Sequence, residues 1–598
     1  MSPKPYRAPM VGWFDPGQLL STGIEAVVSG VMGLHSDRRL VQALAHLERT
    51  FYDYSVHYRD EPDGGPVPDP SRPRTSLWLD FVADTGDGWN STYAVAYHLA
   101  QPRLVVADAG SGHPTERGSV LVFGCDEVYP TPSHKAYEER LVAPYSAARG
   151  GVEPGQSPHV FAIPGNHDWY DSLVAFSRLF CSPVAGRHFG RWRTRQTRSY
   201  FALKLPAGWW LFGVDGQLQA DIDAGQIAYF RSIAEGSMEE GDRVILCLAN
   251  PSWIYAQKYR DHGGYDESDL LYLLNHVLRP RGVEVKVFLS GDLHHYRRHE
   301  EDGPEEGEAP VQKITAGGGG AFLHPTHGDR VKRLDEQRER DSDPPRTFAL
   351  RCSYPAVARS KRLVWRNLFF AWWNPRFGVV PASLYLLAAW AIGAATHWQP
   401  PTSLFDPLYE TVRAFRDHPG LFVVFASTLA AFVFFTDTHS RPYKWAGGVS
   451  HALAHSGALF YIGWGAAFVA GKALPLSPVL QMPVAAALVF GLGWGVGSFI
   501  VGSYLLISSR FWGRHGEQAF SALRIEDYKN FLRLHIGDDG TLTIYPIGLD
   551  RVPRRWRARR EAERAATPSK QVPDDPAATP PRLIEPPIVI RPRAASRF

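Results

Sequence analysis

The sequence predicts an α/β fold for the first half of the chain and an all-α membrane region for the second half. Two observations lead to this prediction. Short β-rich apolar runs end in Asp, Asn or His between residues 75 and 345, and long uncharged apolar runs occupy much of residues 378–508. At 598 residues the chain is also too long for one compact domain. We therefore expect several domains of different structural classes.

Residues 1–74 predict a helical extension followed by a loop. The stretch 19–34 is apolar, but it contains Glu25, which favours an amphipathic helix over a targeting signal. Residues 60–74 are rich in Pro, Asp, Gly and Arg, which indicates a loop before the first strand of the next domain.

Five apolar runs in the α/β region each end in a polar side chain beside Gly or Pro. A single Asp-Gly after a strand is more often a turn former than a ligand, but five such ends in order favour a shared site. Because strand ends that converge on one sheet edge lie close together, we expect these side chains to meet in one pocket. The side chains expected there are Asp84, Asp126, Asn166, Asp292 and His294. Oxygen and imidazole ligands of this kind suit two divalent or trivalent ions.

These motifs resemble those of the calcineurin-like metallophosphoesterases. Asp84-x-Gly86 and Asp126-x-x-Tyr129 are most similar to the purple acid phosphatase variant. The resemblance covers about residues 75–330 and implies a β-sandwich flanked by helices over residues 75–345. It implies a hydrolase of phosphoric ester bonds that uses one or two metal ions, either manganese, iron or zinc.

The resemblance also implies a role for each residue. The first metal site would be formed by Asp84, Asp126, Tyr129 and His294. The second site would share Asp126 and add Asn166 and Asp292. His167, in the sequence Gly165-Asn166-His167-Asp168, would lie beside the scissile phosphate as an electrostatic stabiliser or general acid, so His167 and Asp126 are the expected catalytic residues. Further possible site residues are Asn250, His295 and Asp168.

Three positions depart from the motifs of the family. Cys125 replaces a Gly, Ala249 replaces a His, and Asp292 stands where the family has the first His of Gly-His-x-His. The second site therefore loses two imidazoles and gains oxygen ligands, which shifts the metal preference from zinc toward manganese, magnesium or iron. We expect a nearly complete first site and a weak or empty second site. A catalytically degenerate protein with a regulatory or scaffold role is the alternative.

The second half of the chain predicts a basic linker over residues 346–377 and four membrane-spanning helices over residues 378–508. The predicted spans are 378–397, 420–436, 447–470 and 483–508. About 20 residues cross a bilayer, so the second span is the shortest. His451 and His455 lie one helical turn apart in the third span. They leave open a metal, haem or proton-path role, with hydrogen bonding between helices as the favoured reading.

Charge predicts the orientation and the partners. Lys and Arg are concentrated before the first span, between spans two and three and after span four. This pattern predicts a multi-pass protein of the inner (plasma) membrane with the catalytic domain and both termini in the cytoplasm. Four widely spaced cysteines agree with a reducing compartment. The net charge of +3 argues against nucleic acid as a partner. The expected partners are the lipid bilayer and a phosphate-ester substrate, with a lipid-linked ester as one option. The oligomeric state is left open.

The residues after the last span predict a return to the soluble domain. Residues 509–550 show a helical pattern and then a hairpin pattern around Gly537-Asp538-Asp539-Gly540, which we expect to add to the catalytic sheet. Residues 551–598 are basic and then rich in Pro and Ala, which predicts a disordered tail. The arginines of residues 551–560 would either bind anionic lipid head groups or form a solvated surface.

Overall fold

Two β-sheets, helices on their outer faces and a group of apolar helices make up the computed structural model of this protein. The structure describes residues 6–33, 51–61, 65–107, 112–149, 157–181, 187–216, 222–260, 265–304, 308–328, 331–336, 345–395, 403, 405–436, 440–575 and 580–592. The α/β class predicted for the soluble part is confirmed, since sheets and helices are mixed along residues 51–354.

The first sheet contains a central group of parallel strands. In spatial order its strands are Tyr52–Asp53, Phe201–Lys204, Trp209–Val214, Arg243–Leu248, Glu284–Ser290, Gln312–Ala316, Tyr296–Glu301, Arg346–Tyr354 and Arg333–Glu336. The strands Trp209–Val214, Arg243–Leu248, Glu284–Ser290 and Gln312–Ala316 run parallel to one another. Their carboxyl ends therefore meet at one edge of this sheet.

The second sheet combines strands from both ends of the chain. In spatial order its strands are Gly112–Glu116, Arg103–Ala107, Arg582–Leu583, Leu542–Leu549, Lys529–Ile536, Leu77–Val82, Val120–Phe123, His159–Ala162, Trp192–Thr194 and His188–Phe189. Ile588–Ile590 also pairs with Leu542–Leu549. Leu77–Val82, Val120–Phe123 and His159–Ala162 are parallel, so their carboxyl ends lie at one edge as well.

Alternating side chains build the core between the two sheets. Val120 and Val122 point into a buried cluster shared with the first sheet, whereas Leu121 and Phe123 point to the opposite face. This is the two-residue period of a strand that is covered on both faces. The outer helices complete the layering: Trp89–Ala100, Ala143–Ala148 and Val174–Phe180 cover the second sheet, and Ala224–Gly236, Ser252–Tyr259 and Ser268–Tyr272 cover the first.

Two helices in the described part of the chain, not four, are long and apolar enough to cross a membrane. They are Arg441–Ala473 and Pro478–Trp512. The first two predicted spans form the helices Val379–Ala395 and Pro419–Phe435, each of 17 residues. At 1.5 Å per residue, 17 residues extend over about 25 Å, which is shorter than the bilayer core of about 30 Å. The predicted end of the first span, residues 396–397, lies outside the described residues.

Small residues and one buried imidazole connect the apolar helices. A Cβ placed at Gly497 would lie 2.5 Å from Cβ of Pro381, so Pro478–Ile507 and Val379–Ala395 approach closely. The hydroxyl of Tyr385 lies 2.7 Å from His455 Nδ1, and His455 Nε2 lies 3.2 Å from His451 Nε2. His455 thus takes part in hydrogen bonding between helices, whereas its contact with His451 lies within the helix Arg441–Phe468.

The segment that follows the apolar helices returns to the second sheet. The helical part of the segment predicted over residues 509–550 contains the helix Gly516–Leu523. The hairpin strands are Lys529–Ile536 and Leu542–Leu549. Lys529–Ile536 pairs antiparallel with Leu77–Val82. In this pair, Arg533 Nε lies 3.0 Å from Asp80 Oδ1, and the two side chains are 0% and 3% exposed. The guanidinium also donates to the carbonyl oxygens of His98, Leu99 and Gln101.

Two predictions about irregular segments are wrong. The loop predicted over residues 60–74 contains the hairpin of Val56–Glu61 and Gly65–Pro73. The predicted disordered tail forms short strands as far as Ile588–Ile590, because its few apolar residues are buried against the second sheet. Residues 576–579 and 593–598 of this tail lie outside the described residues. The other described elements are one hairpin and a series of helices. The hairpin joins Trp556–Ala558 and Gln571–Pro573. The helices are Pro16–Gly33, His134–Ala136, Tyr137–Val142, Asn166–Trp169, Pro206–Gly208, Leu273–Leu278, Arg279–Arg281, Val357–Leu363, Val364–Phe369, Phe370–Trp373, Asp406–Asp417 and Glu561–Glu563.

Replacement of Arg533 by Met is expected to destabilise the protein by about 3–5 kcal/mol, because it leaves the buried carboxylate of Asp80 without its partner. Chemical unfolding of the full chain in detergent, followed by tryptophan fluorescence, measures this change. Arg333→Met is the matched control: its partner Asp335 is on the surface, and the loss should be at most about 1 kcal/mol. Equal losses in both variants would show that the Arg533–Asp80 pair does not hold the sheet together.

Candidate metal centre

Three of the predicted aspartates occupy turns in the left-handed backbone region. Asp84, Asp126 and Asp292 follow the strands Leu77–Val82, Val120–Phe123 and Glu284–Ser290, with φ angles of 56°, 41° and 68°. Asp tolerates this conformation better than most residues, but each such position costs of order 1–3 kcal/mol. The same unusual turn at three strand ends directs three carboxyl groups toward one region.

The hydroxyl of Tyr129 lies at the centre of this region. It is 3.0 Å from Asp84 Oδ1, 3.1 Å from Asp126 Oδ2 and 2.9 Å from His294 Nε2. His294 Nε2 is itself 3.6 Å from Asp84 Oδ1. The structure thus brings together the four residues of the first predicted metal site, which we call the Tyr129 cluster: Asp84, Asp126, Tyr129 and His294.

Glycines provide the space in which the two carboxylates lie. A Cβ at Gly317 would lie 2.3 Å from Asp84 Oδ2, and one at Gly291 would lie 2.6 Å from the same atom. A Cβ at Gly165 would lie 1.9 Å from Asp126 Oδ1. Any larger residue at these positions would displace a carboxylate, so glycine is required there for the oxygens to occupy their present positions.

The cluster is buried, and its charges repel one another. Burial, together with the charges of Asp126 and Asp292, raises the pKa of the Asp84 carboxyl well above its usual range. Burial raises the pKa of Asp126 to about 8, with a further contribution from Asp168. Burial also lowers the pKa of His294 well below that of an ordinary imidazole. These shifts are typical of acidic groups that are crowded together in a dry pocket.

The donor set of the Tyr129 cluster fits a cation. His294 Nδ1 lies 2.8 Å from the carbonyl of Phe322, so it carries the proton and leaves Nε2 as an acceptor. One hydroxyl proton of Tyr129 then faces two carboxylates and one imidazole nitrogen. The raised pKa values of Asp84 and Asp126 mean that these carboxyl groups hold protons when no cation is present, and a bound cation would take the place of those protons. Oxygen and imidazole ligands suit manganese, iron or zinc.

His167 and Asp292 lie beside the cluster. The His167 backbone N–H donates to Asp126 Oδ1 at 2.9 Å, and its Nδ1 donates to the carbonyl of Pro130 at 2.6 Å. The Asp292 backbone N–H donates to Asp84 Oδ2 at 2.9 Å, while its carboxylate accepts a hydrogen bond from Tyr255. Burial raises the pKa of Asp292 to about 6. Both residues therefore contact the cluster through their backbone N–H groups.

The other predicted residues contact groups outside the cluster. Asn166 Nδ2 lies 3.4 Å from the Tyr170 hydroxyl, and Asn250 Nδ2 donates to Tyr265 at 2.8 Å. Asp168 accepts the backbone N–H groups of Gly165 and Glu127 and the hydroxyl of Tyr137, so it stabilises the loop. His295 is buried, with no hydrogen-bond partner for either ring nitrogen among the described residues. None of these contacts assembles a second metal site.

Two residues near the cluster were not predicted as site residues. Cys125 belongs with Asp84 and Asp126 to a group whose possible ligand atoms lie within 4.8 Å of one another. Burial raises the pKa of this thiol, which favours its neutral form and makes it a weaker ligand than the carboxylates. The ring of His324 stacks on His294 with centroids 3.7 Å apart. Only the Gly317–Gly320 run before His324 signals this loop in the sequence.

An N-terminal segment, residues 8–15, covers the cluster. Val11 N–H donates to Asp87 Oδ1 at 2.8 Å, and the Trp13 ring lies edge-on to Tyr129 and His167, with centroids 6.2 and 5.9 Å away. Among the described residues, Trp13 Nε1 is buried without a hydrogen-bond partner. We call residues 8–15 the N-terminal strap. It limits access to the cluster from this side.

Comparisons with known proteins do not identify a family. No protein-family model and no curated protein matches the chain. A solved structure described as "GAP50 the anchor in the inner membrane complex of Plasmodium" is 13% identical, covers 42% of this chain and 74% of that chain, and has a TM-score of 0.29. A TM-score this low carries no argument about fold or function.

Replacement of Gly317 by Ala is expected to weaken manganese binding by roughly 10- to 100-fold, because the new methyl group would displace the Asp84 carboxylate. Calorimetric titration of the metal-free full chain measures the affinity. Gly236→Ala is the matched control, since a Cβ at Gly236 meets no atom within 4 Å. Unchanged affinity in the Gly317 variant would argue against Asp84 as a ligand.

Proposed function

We propose that this chain is a membrane-associated, metal-dependent phosphoesterase. The observation that carries the proposal is the Tyr129 cluster, in which two buried carboxylates and an imidazole converge on a single hydroxyl. The resemblance of the strand-end motifs to calcineurin-like metallophosphoesterases supports the same reaction class. The substrate class proposed is a phosphate ester, with a lipid-linked ester as the option that suits a membrane protein.

Each residue contributes a separate function to the proposed reaction. Asp84, Asp126 and His294 would hold the cation, with the Tyr129 oxygen as a fourth donor. When bound, the cation neutralises charge on phosphate oxygens and lowers the pKa of water. His167 is held by Pro130 through Nδ1, and its Nε2 forms no hydrogen bond within the described part of the chain. With Nδ1 as the donor, Nε2 carries the lone pair of the neutral ring, so the ring must take up a proton before Nε2 can donate to a phosphate oxygen or to the leaving group.

Exposure of the apolar helices supports a location in the bilayer. Only 33% of the most apolar window of Arg441–Ala473 and 28% of that of Pro478–Trp512 is buried within the protein. The helices of a soluble core would be mostly buried, whereas outward-facing apolar side chains are expected in lipid. We propose that Val379–Ala395 and Pro419–Phe435 enter the same bilayer, which is the inner (plasma) membrane. The basic flanking residues would keep the catalytic domain and both termini on its cytoplasmic side.

A scaffold or regulatory function is the second candidate. Ala249 cannot replace an imidazole ligand, and the Asp292 carboxylate is occupied by Tyr255. A site that holds one ion could serve structure rather than turnover. The two candidates differ in a direct assay: a scaffold would bind metal without hydrolysing phosphate esters.

Purified full-length protein with manganese is expected to hydrolyse 4-nitrophenyl phosphate, and Asp126→Asn should lower kcat/KM by at least about 100-fold, because one charge of the cluster is removed. A diester substrate measured in parallel separates monoesterase from diesterase activity. Asp266→Asn is the matched control, since among the described residues Asp266 accepts hydrogen bonds only from Ser268, in an exposed turn. Wild-type activity in Asp126→Asn would refute the metal assignment, and metal binding without activity in the wild type would favour the scaffold.

Replacement of Trp13 by Ala is expected to raise kcat/KM severalfold for naphthyl phosphate relative to the smaller 4-nitrophenyl phosphate. The reason is that the indole borders both Tyr129 and His167, so its loss opens the approach to the cluster. Trp78→Ala is the control, because Trp78 stacks on His535 at the opposite end of the strand that leads to Asp84. An unchanged substrate ratio would show that the strap does not limit access.

A further inference from the structure

A second polar cavity lies away from the Tyr129 cluster. It has a volume of about 520 Å³. It is bordered by the end of the strand Arg346–Tyr354, by the helices Val357–Leu363 and Val364–Phe369, and by the residues directly before and after the hairpin of Lys529–Ile536 with Leu542–Leu549. Its charged and aromatic lining is formed mainly by Arg359, Arg366, Arg551, Arg582, Tyr354 and Tyr528. None of these residues belongs to the proposed active site.

The lining carboxylates of this cavity already have partners. Asp550 accepts two hydrogen bonds from Arg582, both of 2.9 Å. Asp527 accepts a hydrogen bond of 3.0 Å from Arg554. The charge of Arg359 acts on the Asp550 carboxylate without a direct hydrogen bond, whereas Arg366 and Arg551 have no carboxylate partner among the described residues.

Three arginines leave donors available in the cavity. Arg359 Nε donates to the hydroxyl of Tyr528 at 2.7 Å, which leaves its terminal nitrogens without a carboxylate. Arg366 and Arg551 are exposed and form no ion pair or hydrogen bond with other residues that the structure describes. Guanidinium groups arranged in this way match the oxygens of a phosphate group.

Tyr528 adds a strained backbone to the cavity. Its φ angle is 61°, which is rare for a bulky residue, and its hydroxyl accepts the bond from Arg359 while keeping its own proton as a donor. Backbone strain of this kind occurs often at ligand sites.

Exposed aromatic side chains place the cavity at the level of lipid head groups. On either side of Arg366, Trp365 is 48% exposed and Phe369 is 68% exposed, and Trp372 follows at 82%. The same segment packs against the end of the long apolar helix, since a Cβ at Gly502 would lie 2.1 Å from the Asn367 carbonyl oxygen. Aromatic residues at the end of a membrane helix are typical of the bilayer interface.

We propose that this cavity binds the phosphate group of an anionic phospholipid, with Arg359, Arg366 and Arg551 as the phosphate ligands and the exposed aromatic residues in contact with the lipid. This site is separate from the Tyr129 cluster, and the proposal does not depend on hydrolysis there. The lipid would bridge the soluble domain and the membrane helices.

Native mass spectrometry of the full chain in detergent micelles tests the proposal, with phosphatidylglycerol as the probe. The wild type is expected to retain phosphatidylglycerol in preference to phosphatidylcholine. The double variant Arg366→Gln, Arg551→Gln should weaken retention at least about tenfold, because two charged hydrogen-bond donors are lost. Arg178→Gln, at an exposed position of the helix Val174–Phe180, is the matched control and should retain the lipid.

The outcomes separate the possible ligands. Inorganic phosphate is added as a competitor: if it displaces the lipid completely, the cavity is a site for the free anion and the lipid assignment is overturned. Equal retention by the double variant and the wild type, or equal retention of phosphatidylcholine, would also overturn the proposal. If the double variant does not fold, the single variant Arg366→Gln is judged by the same criterion. Hydrolytic activity is measured separately. A loss of lipid retention therefore does not count against the proposed phosphoesterase activity, and a loss of that activity does not count against the lipid site.

Discussion

The crowding of buried carboxyl groups around the Tyr129 hydroxyl is the constraint on which the rest of this structure depends. Asp84, Asp126 and Asp292 are held in left-handed turns, and the absence of a Cβ at neighbouring glycines leaves the space that the first two carboxylates occupy. Buried acids without a positive partner are costly, and so is the backbone strain. A cation at the cluster would offset both costs. Three of the described non-glycine residues with positive φ thus lie where the proposed chemistry takes place.

The N-terminal strap connects this cluster to the membrane-proximal helices. Trp13 contacts Tyr129 and His167, and the next residue, Phe14, packs edge-on against Phe370 and Phe377 at centroid distances of 5.1 and 5.5 Å. Trp13 and Phe14 occupy the centre of a turn in which the Asp15 N–H donates to the Gly12 carbonyl at 2.7 Å, so one short turn contacts both regions. Movement of the juxtamembrane helices would thus reach the entrance of the cluster directly.

Local patterns predict the centre of the site but not its surroundings. Strand ends with Asp84, Asp126 and His294 stand out because a buried apolar run followed by Asp or His and Gly is visible in a few residues of sequence. His324 and Trp13 could not be found in this way, since they reach the cluster through loops whose paths depend on the whole fold. The tail was predicted from its Pro and Ala content, which conceals the three apolar residues of Ile588–Ile590 that complete a sheet edge. The sequence predicted four helices long enough to cross a membrane, whereas two of the described helices reach that length, because composition does not define where a helix begins and ends.

The connection between the membrane helices and the sheet determines what the proposed enzyme can reach. Lys529–Ile536 follows the apolar helices and pairs directly with Leu77–Val82, the strand that leads to Asp84. The buried Arg533–Asp80 pair fixes this register, because a shift of the strand Lys529–Ile536 by one residue would turn Arg533 to the apolar face that Leu532 and Leu534 occupy and leave Asp80 without its partner. A flexible linker would let the domain search the surrounding solution, whereas in the proposed membrane arrangement a shared sheet would hold the cluster at a constant height above the bilayer. Such a geometry would favour esters that are themselves confined to the membrane surface over esters that diffuse in solution.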